Sequence, residues 1–161
     1  MKKILIVLAA LVLTSCGNDD DSPSCNVVDS VANITIDGNE IQFVKYGYGL
    51  HLLPSGRHEL DFFYNSVDDS AGYHSYLKIT ILFKDTGENV ITQLIYNSDA
   101  VIIFSEGDFS SQVISNNPYC FEANFSGSIQ TDEGLLTISE GYASFVYDEP
   151  LEDYSIGRLN N

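Results

Sequence analysis

The side chains best suited to chemistry in this chain are three histidines, His51, His58 and His74, and a set of closely spaced carboxylates. Histidine is the ordinary general base near neutral pH and a common metal ligand. His58-Glu59-Leu60-Asp61 carries the first half of the zinc-protease pattern but lacks its second histidine. No nucleophile elbow, phosphate loop or EF-hand pattern occurs in the sequence. The acidic groups are Asp68-Asp69, Glu106 with Asp108, Asp132-Glu133, and Glu149 with Glu152 and Asp153. Paired carboxylates do acid–base work only where their surroundings separate their acidities, and all of these fall in expected turns or the tail, in contact with water. Turn chemistry and solubility account for them first. Two functional alternatives stay open: a hydrolase using scattered carboxylates, and a calcium site of loop carboxylates and carbonyls, the oxygens a hard cation takes. The sequence predicts no catalytic residue, no metal centre and no cofactor.

Aromatic side chains offer a different chemistry. The chain has ten tyrosines and nine phenylalanines but no tryptophan. Tyr46, Tyr48, Tyr73 and Tyr76 are the candidates for a glycan platform, on which rings stack against sugar faces. Tyrosine is also favoured in strands for its packing alone.

The elements that must position these residues read as strands. Asn33-Ile34-Thr35-Ile36-Asp37 alternates, Asp37-Gly38 or Gly38-Asn39 supplies a tight turn, and Glu40 to Val44 alternates again, which predicts a hairpin. Tyr46-Gly47-Tyr48-Gly49 continues it with a bulge. His58 to Tyr64 places Leu60, Phe62 and Tyr64 on one face and Glu59, Asp61 and Phe63 on the other. Leu77, Ile79, Ile81 and Phe83 define what reads as the longest and most central strand. Val90 to Tyr96 and Ala100 to Phe104 are continuous apolar runs, expected to be buried on both faces. Ser105 to Pro118 reads as a long polar connection. Phe121, Ala123, Phe125 and Ile129 face inward in the next strand, with Glu122, Asn124, Ser126 and Ser128 outward; two more strands follow to Tyr147. Strand-length segments recur about every ten residues without a sustained helical stripe. The fold class is therefore all-β, a single antiparallel sandwich or barrel of roughly seven to ten strands.

The N-terminal segment sets the address. Met1-Lys2-Lys3 is cationic, Ile4 to Leu13 is unbroken apolar sequence, and small residues lead into Cys16, the layout of a secretory signal. That run reaches only about 15 Å as a helix, too short to span a bilayer. Leu13-Thr14-Ser15-Cys16 resembles the lipobox of bacterial lipoproteins. The resemblance implies cleavage before Cys16, a diacylglyceryl group on its sulfur, and a further acyl chain such as palmitate on the new amino terminus; two or more chains hold stably to a membrane. Asp19, Asp20 and Asp21 look like the acidic export tag of Bacteroidetes-type lipoproteins, which implies the outer membrane and its outward face. Asp29-Ser30-Val31 and Asp69-Ser70-Ala71 resemble the short O-glycosylation acceptor of the same group.

With lipid assigned to Cys16, Cys25 and Cys120 are the only pair left for a disulfide in an exported chain. The bond would close a loop of about 96 residues, worth about 4 to 5 kcal/mol in the chain-entropy model. Two free thiols are the alternative.

The expected organisation is a signal peptide at 1–15, a lipidated acidic tether at 16–30, an all-β domain at 31–150 and a polar tail at 151–161. Loss of Lys2 and Lys3 leaves five basic residues against 23 acidic ones, a formal charge of −18. Such a chain does not grip nucleic acid, whose affinity rests on basic residues that release counterions, nor anionic head groups. Its membrane contact is the lipid anchor, and its expected ligand is an extracellular glycan or protein. The functional expectation is a surface binding or scaffolding domain without catalysis; the alternatives are the carboxylate hydrolase and a barrel enclosing an apolar ligand.

Overall fold

A computed structural model describes residues 25–67, 75–98 and 100–151. Ten strands form one antiparallel sheet: β1 Val31–Ile36, β2 Asn39–Leu52, β3 His58–Ser66, β4 Tyr76–Leu82, β5 Gly87–Glu88, β6 Ile91–Asn97, β7 Val101–Ser105, β8 Phe109–Asn116, β9 Cys120–Thr131 and β10 Gly134–Val146. The order across the sheet is β5-β8-β9-β10-β1-β2-β3-β4-β6-β7. Apart from β5, which leaves the run between β4 and β6 to pair with β8 at the other edge, the chain is an up-and-down meander whose last strand returns to pair with the first. Consecutive strands β7 and β8 do not pair, so the sheet curls into a half-barrel with its seam there. The all-β single-sheet expectation holds, on its barrel side.

Local sequence explains the turns and bends. Asp37 and Gly38 both have positive φ, 48° and 84°, as a two-residue hairpin turn of the primed type requires. Gly127 sits where Asp108 and Phe109 of the β7–β8 turn press onto β9, with no room for a side chain. Register shifts bulge β2 between Lys45 and Gly47 and β10 between Ile138 and Gly141. At the second bulge the Phe125 ring covers Gly141 where a β-carbon would stand.

The concave face carries the core. Phe43, Phe62, Tyr64, Phe104, Phe121 and Phe145 are fully buried. Phe62 of β3 stacks on Phe121 of β9 at 4.4 Å although three strands separate them, so the two ends of the sheet face each other across the interior. Aromatic side chains fill that space.

Four details differ from the sequence expectation. β4 is only seven residues long and lies eighth in the order, whereas β2 has fourteen and is central; the glycines and bulge of β2 hide its period. β6 and β7 are buried on one face only, with Val101 58% and Ile103 44% exposed, because among the described residues no second layer covers the outside of the curled sheet. The stretch expected as a polar connection contains β8, a strand of outward Ser110 and Gln112 and inward Val113, held by its pairing with β9. Val27, Val28 and Val31 read in the sequence as the point where the tether meets the domain, and Val28 is instead exposed.

Candidate functional site

Alternation places two groups of polar side chains on the outer face of the sheet. The first lies on β2, β3 and β4. Asp61 stands between Gly49 and Thr80 in the cross-strand register and is 6% exposed. The Thr80 hydroxyl donates to its Oδ1 at 2.7 Å. Lys78 Nζ lies 3.0 Å and His51 Nε2 3.3 Å from its Oδ2. Gly49 makes this possible: an added β-carbon there would stand 3.2 Å from the His51 ring. A histidine–aspartate pair is half of a nucleophilic triad, which needs a hydroxyl or thiol on the histidine. Here the hydroxyl of Thr80 is committed to the carboxylate, and the arrangement is a saturated structural cluster.

The second group lies on β8, β9, β10, β1 and β2, where side chains stand in register across five strands. One row runs Gln112, Asn124, Tyr142, Asn33, Gln42. A second begins with Ser110 and Ser126 on β8 and β9 and, beyond the β10 bulge, continues with Glu140, Thr35 and Glu40. Between the rows and the β5 end, Glu88 and Asn89, opens a trough of about 750 Å³. That volume is within the usual range for small-ligand sites, roughly 300–1,000 Å³. Its side walls are amides, hydroxyls and the carboxylates of Glu40, Glu88 and Glu140, with no lysine or arginine. Tyr142 provides a central ring, and its hydroxyl donates to Glu122 Oε1 at 3.3 Å. Burial pushes that phenol above its ordinary pKa, the Ser144 hydroxyl pulls it down, and the Glu122 charge raises it further. Of the lining residues, Asn33 Oδ1 and Ser111 Oγ are buried without a hydrogen-bond partner among the described residues, as are Asn116 Oδ1 and the Tyr147 hydroxyl elsewhere.

The residues singled out from sequence are distributed differently. Cys16, the export tag Asp19, Asp20 and Asp21, and also Tyr73, His74, Asp68, Asp69, Glu152 and Asp153 lie outside the described residues. The Cys25 and Cys120 sulfurs are at bonding distance and their α-carbons are 5.9 Å apart, within disulfide reach. The segment that follows Cys25 is laced to β10: Ser144 Oγ donates to Asp29 O at 2.8 Å and Val146 N to Ser30 Oγ at 2.8 Å. Tyr48 turns inward, edge-on to Phe145 at 5.7 Å and Tyr147 at 5.2 Å. Tyr46 sits at the β2 bulge, 74% exposed. Tyr76 pairs with Asn65 and Asn97 and alternates outward. Tyr48 and Tyr76 are therefore on opposite faces, because the bulge resets the alternation of β2. Among the carboxylates, Asp108 Oδ2 accepts from Ser105 N at 2.9 Å as part of its turn. Among the described residues no three histidine, cysteine or acidic side chains come together in a metal-holding group.

Asn124 and Ser126 were readable as outward positions of a strand, whereas Ser110 and Gln112 fell in an expected connection; their meeting depends on registers between β8, β9, β10 and β1, which no local pattern states. Searches against family models, curated proteins and solved structures give no match for the chain.

Proposed function

We propose that this chain is a lipid-anchored protein of the outer membrane, exposed at the cell surface, whose β-domain binds an extracellular ligand without catalysing a reaction. The lipobox resemblance at Cys16 and the Asp19 to Asp21 tag support the location. The observation that carries the binding role is the open trough lined by amides and hydroxyls that stand in register across β8, β9, β10 and β1. Support for a carboxylate hydrolase is weaker: Glu40 and Glu140 flank Thr35 in one row but both are exposed to solvent. An apolar-ligand barrel draws no support from an interior filled with phenylalanine and tyrosine rings. Partners are the membrane, through acyl chains, and the ligand; nucleic acid is not among them.

Fractionation and protease treatment of intact cells test this reading. Added protease is expected to remove the wild-type chain, and Cys16→Ser is expected to abolish fatty-acid labelling and membrane retention. A Cys16→Ser chain that still carries labelled fatty acid would sink the anchor, and full protection on unbroken cells would place the domain inside the envelope.

A further inference from the structure

We infer that the trough on the outer face of β8, β9, β10 and β1 is a binding site for a neutral oligosaccharide laid across the strands. This builds on the surface-module reading above and names its ligand class. Ligand chemistry follows from what lines the trough. Gln112, Asn124 and Asn33 present amides, and Ser110, Ser126, Thr35 and Tyr142 present hydroxyls. Each of these side chains both donates and accepts hydrogen bonds, as does every sugar hydroxyl. Anionic ligands are disfavoured, since the lining holds three carboxylates and no basic side chain. A compact cation finds no convergent acidic group among the described residues.

An extended peptide is disfavoured by the backbone. The floor is made by strands β9, β10 and β1, each paired on both sides, and the sheet edge at the rim is the two-residue β5, too short a template for strand addition. Tyr142 supplies an aromatic surface at the middle of the row, with Phe125 also in the lining, suited to the face of a pyranose ring. Asn33 stands directly beside Tyr142 in the row, so its amide borders the same ring position. The β10 bulge and Gly141 shape the floor beneath it.

The test uses the full chain in detergent micelles and a panel of neutral oligosaccharides (gluco-, xylo-, manno- and galacto-series), with a sulfated oligosaccharide and spermine as charged probes. At least one neutral series is expected to bind by calorimetry. Gln112→Ala with Asn124→Ala is expected to weaken it at least about tenfold, equivalent to about 1.4 kcal/mol, with an unchanged unfolding midpoint. Tyr142→Phe and Asn33→Ala are expected to weaken it without abolishing it. Neutral-sugar binding that the double variant leaves unchanged overturns the trough as the site. Spermine binding abolished by Glu140→Lys, with no sugar bound, overturns the ligand class. Silence from every probe also overturns the saccharide assignment, while the surface-module reading is decided separately by the Cys16→Ser and protease results.

Discussion

Two polar regions on one outer face differ in who satisfies them. On β2, β3 and β4 the carboxylate of Asp61 is nearly sealed from water, and Thr80, Lys78 and His51 all turn to it. On β8, β9, β10 and β1 the side chains of Ser110, Gln112, Asn124 and Ser126 stand around open space, and the buried Asn33 Oδ1 and Ser111 Oγ have no hydrogen-bond partner among the described residues. The first region answers its own hydrogen-bonding demand and contributes to the fold. The second turns its amides and hydroxyls toward open space, and the proposed binding role rests on that difference.

The largest expected effect lies on the self-satisfied side. The Cys25–Cys120 link fastens the N-terminal segment beside Ser144 and Val146, across a sequence separation of 95. Cys120→Ser is expected to cost about 4 kcal/mol by the chain-entropy account, measured by urea unfolding, and reductant should produce a similar loss in the wild type only. A wild-type curve indifferent to reductant would contradict the link. Next comes the Asp61 cluster. Asp61→Ala leaves Lys78 largely covered without its counter-charge, and the expected loss is about 3 kcal/mol. Combining Asp61→Leu with Lys78→Met should recover much of it, since apolar residues replace such a pair at little cost. Equal instability of the single and double variants would show that the ion pair is not what Asp61 contributes.

Much of the fold was legible because inward positions repeat every two residues. Ile34 and Ile36, Leu60 and Phe62, Leu77 and Ile79, and Phe121 and Ala123 all face the core as alternation dictates. The Asp37-Gly38 turn was legible from the conformational needs of a short hairpin. Length and order were not: β8 hid behind serines and glutamine, and β2 behind glycines and a bulge. The site was less legible still. Asp61 reads as one outward acid among many until β2 and β4 bring Gly49 and Thr80 beside it. Asn33 and Tyr142 are more than a hundred residues apart and become neighbours only through the closing of β10 onto β1. The placement of the tyrosines was not legible either, because spacing along β2 assumes an unbroken alternation that the shift at Lys45 and Gly47 removes.

A smaller effect separates two buried tyrosines beneath these regions. The Tyr64 hydroxyl donates to Ser144 O at 3.1 Å, whereas the buried Tyr147 hydroxyl has no partner. Tyr64→Phe is expected to cost about 1 kcal/mol and Tyr147→Phe to be neutral or to stabilise by up to about 1 kcal/mol. Burial raises both phenols above their ordinary value, with Tyr147 adding to the rise at Tyr64 and Tyr48 to that at Tyr147. Their protonated forms are thus favoured in the folded state. Stability from them is full below about pH 10, the unfolded value, and falls as pH rises beyond it. Tyr147→Phe should flatten that alkaline decline; an unchanged slope would show that Tyr147 does not ionise on unfolding.

The smallest expected effect is also the sharpest test of the comparison. Gln112 and Asn124 are exposed neighbours across β8 and β9, and their amides face the trough rather than the core. Truncating them removes little buried area and leaves no sealed carboxylate behind, so the double alanine variant should unfold within about 0.5 kcal/mol of wild type, as ordinary surface changes do. Both strands keep their ladder, because pairing runs through the backbone and the inward residues Val113, Ala123 and Phe125 remain. If these side chains instead served the fold as Asp61 does, urea unfolding would reveal a loss of several times that size. Near-zero change in stability, set beside the large loss at Asp61, would place the polar rows of β8 and β9 among groups the fold does not need.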